Sequence, residues 1–135
     1  MAANVLVDAD FLIALLSRRD RHHLWARSRS PDLALPWTCE AALSEAFHLL
    51  GVRGRPRLAE LLRRRAVVPT FDLAENLDRV MHLMQEYANV PMSLADGCLV
   101  RMSETLADPL LLTTETDFRV YRRHGRLVVP CMMPY

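Results

Sequence analysis

Residues 5–16, VLVDADFLIALL, place two acids, Asp8 and Asp10, inside an otherwise apolar stretch. The opening Val-Leu-Val is rich in β-branched residues and is followed by Asp8, which predicts a short strand. The following residues change to helical spacing, so the stretch predicts a strand that leads directly into a helix. A carboxylate at the end of such a strand is expected to be partly buried and to need a partner. Asp10 is more simply interpreted as the N-terminal cap of the helix.

The rest of the chain continues this alternation of short apolar strands and helices. Strands are predicted at residues 32–35, 66–69, 110–114 and 126–130. Helices are predicted near residues 22–27, 38–51, 57–65, 72–88 and 116–125, and one begins at residues 91–96. Strands that are apolar on both faces are typical of a mainly parallel sheet covered by helices on both sides. We therefore predict an α/β fold, and the 135 residues form one domain, 1–135.

Composition excludes several classes of protein. The net charge is only +1, and all 17 basic residues are arginine, so chemistry that requires a lysine is excluded. Cys39, Cys98 and Cys131 are odd in number and have apolar neighbours, which predicts buried thiols in a reducing compartment. No leader pattern and no apolar run of membrane-spanning length is present, so we predict a cytoplasmic protein without a membrane segment.

Five further acids and Asp8 stand where chemistry gathers in such sheets, beyond the carboxyl ends of the strands. Asp8 ends the first strand, Glu115 and Asp117 follow the strand at 110–114, and Asp96 opens a helix. Glu40 and Glu45 both border the apolar face of their helix, and periodicity cannot decide which one turns inward. Crowded carboxylates repel one another unless a divalent cation compensates, and Mg²⁺ and Mn²⁺ prefer such oxygen ligands. The pattern suits metal-assisted phosphodiester hydrolysis.

Simpler roles exist for most of these polar residues. Ser93 and Asp96 have capping-box spacing, and Glu115 and Asp117 suit the first turn of a helix. We interpret His22 and His23 as surface packing. Basic runs at residues 53–57, 63–65 and 122–124 either contact RNA phosphates or form solvated faces and contacts to an acidic partner.

The residues resemble a known family, the PIN-domain ribonucleases, and within it the VapC-type toxins of bacterial toxin/antitoxin pairs. The resemblance rests on four stretches in order, which span nearly the whole chain: VLVDADFLIALL, TCEAALSE from Thr38 to Glu45, PMSLADGCLVRMSE, and TTETDFRVYRR. It implies a PIN-like fold and a Mg²⁺- or Mn²⁺-dependent endoribonuclease. It also implies a homodimer and a cognate antitoxin that covers the active site.

The resemblance assigns the acids residue by residue. It places Asp8, Glu45 and Asp96 in the catalytic cluster, with a fourth acid at residues 115–117, and so selects Glu45 over Glu40. The family's closing pattern often reads Thr-x-Asp-x-Asp-Phe, whereas this chain has Glu115 at the first acidic position. We therefore expect Asp8, Asp96 and Asp117 to be the metal ligands, with Glu115 assisting. Asp10 stands where the family often has Ser, Thr or Asn, so it either caps the helix or adds a ligand.

Three other functions fit part of the pattern. A haloacid-dehalogenase-like phosphatase would use Asp8 as nucleophile and Asp10 as general acid, but that family usually also uses a later lysine. A phospho-acceptor receiver domain requires a lysine near its last strand, and the chain has none. A PIN-like fold that serves only as a binding scaffold is the third, and the near-complete set of acids argues against it.

Overall fold

The computed structural model describes residues 4–29, 31 and 35–135. Five parallel strands form the central sheet in the order β3-β2-β1-β4-β7: β1 (Asn4–Val7), β2 (Trp37–Thr38), β3 (Val68–Pro69), β4 (Pro109–Leu112) and β7 (Cys131–Met132). Strands β5 (Arg122–Arg123) and β6 (Leu127–Val128) form an antiparallel hairpin. The helices are α1 (Ala9–Leu16), α2 (His23–Arg29), α3 (Glu40–Arg63), α4 (Leu77–Glu86) and α5 (Leu94–Thr105). The predicted α/β fold with a parallel sheet is confirmed.

The core lies on both faces of this sheet. Leu6 and Leu111 point toward one face, where they pack with α4 and α5. Val5, Val7 and Leu112 point to the opposite face and pack with α1, α2 and α3. Alternate residues of each strand therefore enter different halves of the core, which explains why the strands are apolar without interruption.

The junction between β1 and α1 differs from the sequence prediction in one respect. Helix α1 begins at Ala9, and its N-terminal cap is Asp8, whose carboxylate accepts a hydrogen bond from the Phe11 amide at 2.8 Å. Asp10 lies inside the first turn, so its prediction as the cap was wrong. Asp8 is the single residue between β1 and α1, so the residue that follows the strand is also the cap of the helix.

Helix α3 is bent at Gly51. The predicted stop at this residue is confirmed as a break, because its backbone has φ +66° and ψ −166°. Helical structure resumes at once and continues to Arg63, so the helix predicted at 57–65 starts earlier than expected. Arg55 spans the break, since its Nε donates to the Phe47 carbonyl at 3.1 Å.

We expect Gly51→Ala to destabilise the protein. The conformation of Gly51 is essentially restricted to glycine, so alanine should lower the free energy of unfolding by about 1–3 kcal/mol. Urea denaturation measures the change. Ser44→Ala is the control, because Ser44 is an exposed residue of the same helix and alanine suits a helical backbone. Equal stability of Gly51→Ala and Ser44→Ala would contradict the strain at Gly51.

The other predicted elements are confirmed with shifted bounds, except in two regions. The cap predicted at Ser93 is confirmed, because its hydroxyl accepts from the Asp96 amide. At the start of the region predicted as helix 72–88, the Asp72 carboxylate accepts from the Glu75 amide. The strand predicted at 32–35 lies largely outside the described residues, and β2 follows it.

The C-terminal region is the second exception. The helix predicted at 116–125 is only a 3₁₀ turn, Thr116–Arg119, followed by β5. The strand predicted at 126–130 was wrong as the last strand of the main sheet, because Leu127–Val128 pairs with β5 in the hairpin. The main sheet is instead completed by Cys131–Met132, beside β4.

Candidate metal centre

The strand order places a crevice between β1 and β4. The chain builds the sheet outward from β1 in one direction through β2 and β3, then crosses to β4 on the other side. In open parallel sheets, ligands bind beyond the carboxyl ends of the strands at such a reversal. Asp8 follows β1 and Thr113 follows β4 at this position, so the predicted location of the site coincides with the switch point.

Asp8 is the most deeply buried acid of the site. Its side chain is only 5% exposed, and its two oxygens accept from the Phe11 amide and the Thr113 hydroxyl. Burial raises the pKa of Asp8 to about 8, and the charges of Asp10 and Asp96 add to the increase. The two hydrogen bonds act in the opposite direction but do not outweigh burial. A negative charge at Asp8 therefore needs a compensating cation.

Asp96 lies in the first turn of α5, as predicted, but it is not only a capping residue. The Ser93 hydroxyl caps the helix by accepting from the Asp96 amide at 3.0 Å. The Asp96 carboxylate accepts from the phenol of Tyr121, with 3.0 Å between Oδ2 and Oη. Burial raises the pKa of Asp96, and the charge of Glu115 contributes to the increase.

Glu45 and Glu40 are separated by the structure. Glu45 lines the cavity that also contains Asp8 and Asp96, whereas Glu40 is exposed and does not line it. Partial burial and the charges of Asp96 and Asp10 raise the pKa of Glu45. Glu45 is therefore the residue of this helix that belongs with the acidic cluster.

Glu115 and Asp117 both reach the cavity from the segment after β4. Glu115 caps the 3₁₀ turn, with its carboxylate accepting from the Asp117 amide at 3.0 Å. The charge of Glu115 raises the pKa values of both Asp10 and Asp96, while the charge of Asp117 contributes to the raised pKa of Tyr121. Both acids therefore belong to the cavity, and which of them would bind a metal stays a prediction.

One site residue, Tyr121, was not identified from the sequence, and Asp10 was left open as either a cap or a ligand. Asp10 lines the cavity, and its pKa is raised by burial and then by Glu115 and Asp96. Tyr121 is fully buried beside Asp96. The spacing of Asp10 from Asp8 was a usable signal, because both lie at the N-terminal end of α1. Tyr121 gave no signal that distinguishes it from a core residue.

The cavity suits a hydrated divalent cation. Its volume is about 250 Å³, and it is lined by six acids: Asp8, Asp10, Glu45, Asp96, Glu115 and Asp117. Each water occupies about 30 Å³, so a cation with several waters fits. None of these acids makes an ion pair with a described residue. The donors are all hard oxygens, which matches Mg²⁺ or Mn²⁺.

The carboxylates are gathered but not yet at ligating distance. Among the described residues, no three His, Cys, Asp or Glu side chains lie close enough together to hold an ion as they stand. The donor set therefore fits Mg²⁺ or Mn²⁺ by chemistry and by volume rather than by preformed coordination.

The basic runs have different surroundings. Arg122 donates to the carbonyls of residues 119, 120 and 121, and Arg123 donates to the Ser103 carbonyl, so this run stabilises the fold. Arg53 and Arg57 instead line a cleft of about 410 Å³ with Arg18 and Arg19. Every charged residue among the described residues that line this cleft is an arginine.

The chain matches no protein-family model and no curated protein. Within the part of the chain that the structure describes, no helix has the length and apolar character needed to span a membrane.

The histidines and cysteines have structural surroundings. His23 lies 2.8 Å from the Ala14 carbonyl, and His22 packs edge-on against the ring of Tyr135. The packing role predicted for these histidines is confirmed. Cys39 and Cys98 are buried thiols as predicted, and Cys131 is only partly buried.

Proposed function

We propose that the protein is a Mg²⁺- or Mn²⁺-dependent endoribonuclease, and that it acts as the toxin of a toxin/antitoxin pair. The observation that carries the nuclease proposal is the buried Asp8 carboxylate at the switch point of the sheet. It lies among five other acids and makes no ion pair with a described residue. The toxin role rests on the resemblance to VapC-type toxins.

The residues of the chain divide the work as follows. Asp8 and Asp96 hold the metal, together with an acid from residues 115–117. An ion bound there would supply a water of lowered pKa and would stabilise charge on the leaving oxygen. Glu45, the most exposed of the acids, faces the open side of the cavity and is placed to accept a proton from the attacking water. The Thr113 hydroxyl and the Phe11 amide hold Asp8 in position.

Binding of RNA needs a second surface, because six carboxylates repel phosphates. The cleft lined by Arg18, Arg19, Arg53 and Arg57 carries the opposite charge. It lies between the end of α1 and the second half of α3, the same two helices that carry Asp10 and Glu45. We propose these arginines as the phosphate contacts that hold the RNA.

The proposal predicts that cleavage of single-stranded RNA requires a divalent metal. Purified protein, freed of any partner, should cut the RNA in Mg²⁺ or Mn²⁺ and should not cut it in EDTA. Asp96→Asn should reduce the rate by about 10²-fold or more, because a metal ligand loses its charge. Glu40→Gln is the matched control, since Glu40 is an exposed acid outside the cavity. Cleavage that persists in EDTA and in Asp96→Asn would refute the mechanism.

A phosphatase of the haloacid-dehalogenase type is less well supported. It would use Asp8 as nucleophile, but that family usually also uses a later lysine, and the chain has none. The presence of Asp10 in the cavity is the observation in its favour. Turnover of a phosphate monoester that is lost in Asp10→Asn would favour this alternative over the nuclease.

The homodimer, the antitoxin and the cytoplasmic location stay predictions from the resemblance and the composition. A scaffold without catalysis is distinguished by the same cleavage assay, because it binds RNA or protein but does not turn over.

A further inference from the structure

Tyr121 joins two of the segments that bring acids to the cavity. Its phenol donates to Oδ2 of Asp96, which belongs to α5. Its backbone amide donates to the carbonyl of Asp117 at 3.3 Å, in the turn after β4. The residue therefore connects Asp96 with the 3₁₀ turn that carries Asp117.

The position of the phenol is fixed by packing. Tyr121 is fully buried, and its ring lies edge-on to two other aromatic rings. The centroid distances are 5.3 Å to Phe118 and 5.2 Å to Tyr87, both in the range of favourable edge contacts. A ring held from two sides cannot follow a movement of Asp96, so the hydrogen bond constrains the carboxylate rather than the phenol.

We propose that Tyr121 is a positioning residue that orients the Asp96 carboxylate toward a divalent metal ion. The inference rests on the proposed function, because it concerns the same cavity. An oxygen that accepts one hydrogen bond keeps a second lone pair, so the contact with Tyr121 does not prevent Asp96 from binding an ion. Burial raises the pKa of the phenol, and the charge of Asp96 adds to this, so Tyr121 remains a donor at neutral pH.

Groups that hold metal ligands in position strongly affect metal affinity. Ser93 already fixes the backbone of Asp96, and Tyr121 fixes its side chain. Loss of such an outer partner usually weakens metal binding by about 10–100-fold. The effect should appear in the affinity for the ion and not in the chemical step.

The experiment compares Tyr121→Phe with Tyr87→Phe in the full chain. Both variants keep the aromatic ring and remove one hydroxyl, but the Tyr87 hydroxyl accepts from the Arg122 amide and does not touch an acid. Calorimetric titration with Mn²⁺ should give a dissociation constant about tenfold or more above the wild-type value for Tyr121→Phe. Tyr87→Phe should bind as the wild type does. In RNA cleavage, saturating Mn²⁺ should restore the rate of Tyr121→Phe.

Two results overturn the inference alone: wild-type Mn²⁺ affinity in Tyr121→Phe, or an equal loss in both variants. A wild-type protein that binds neither Mn²⁺ nor Mg²⁺ overturns the proposed function as well. If Tyr121→Phe fails to fold, the near-ultraviolet circular dichroism of the tyrosines decides. Mn²⁺ should change this signal in the wild type and in Tyr87→Phe alike, and an unchanged signal in both overturns the inference.

Discussion

Asp8→Asn should abolish metal-dependent cleavage of RNA and, in EDTA at pH 8, make the protein more stable. The first effect follows because the proposed metal ligand loses its charge, and we expect a rate reduced by about 10³-fold or more. The second follows because the pKa of Asp8 is raised to about 8 by burial, so its ionisation opposes folding. An amide avoids that cost, which we expect to be worth about 2–4 kcal/mol.

The two effects of Asp8→Asn are measured separately, by cleavage of labelled RNA in Mn²⁺ and by urea denaturation in EDTA. Asparagine can still accept from the Phe11 amide, so the cap of α1 is preserved. Glu40→Gln removes an exposed acid outside the cavity and should leave both measurements unchanged. A variant that loses activity and stability together would indicate damage to the fold and contradict this account of Asp8.

The stability of the protein in EDTA should fall as the pH rises from about 4 to about 8. Unfolded Asp8 loses its proton near its ordinary pKa of 3.8, whereas folded Asp8 keeps it until about pH 8. Between these values the folded state binds more protons, so the free energy of unfolding decreases by up to about 1.4 kcal/mol per pH unit. Asp10, Glu45 and Asp96 have pKa values raised by burial and contribute with the same sign.

Denaturation curves across this pH range, in EDTA and in Mg²⁺, test the prediction. Mg²⁺ should flatten the dependence, because an ion that binds the folded state compensates the charges. Glu104, the one described acid with a lowered pKa, does not cancel the trend. Burial opposes its ionisation, but the hydrogen bonds from Arg79, the His124 amide and Arg101, together with the charge of Arg79, outweigh burial. Its contribution arises below its ordinary pKa of 4.5. A slope that Asp8→Asn leaves unchanged would contradict the assignment to Asp8.

The sequence predicted the elements whose signals are local. The strand before Asp8 and the cap at Ser93 depend on neighbours within a few positions, and both are confirmed. Glu45 and Glu40 could not be separated in this way, because both border the apolar face of α3 and only the packing of α3 against the sheet decides which one meets Asp96. The resemblance selected Glu45, and the cavity agrees with it.

The sequence predictions that the structure contradicts have a different cause. Residues 126–130 have stronger strand propensity than Cys131–Met132. Nevertheless, Leu127–Val128 pairs with β5 in the hairpin, and Cys131–Met132 pairs with β4 in the main sheet. Strand pairing is a tertiary choice that propensity does not determine. Asp10 was assigned as the cap because the first helical hydrogen bond could not be located from the sequence. Tyr121 lies among core-like residues, and its hydroxyl donates to a residue 25 positions away.

The bond between Asp8 and Thr113 links residues 105 positions apart, and β1 pairs over its whole length with β4. During translation, Asp8 leaves the ribosome long before its partners exist. The six acids cannot assemble until synthesis has passed Asp117, so most of the chain is made before the acidic cavity exists.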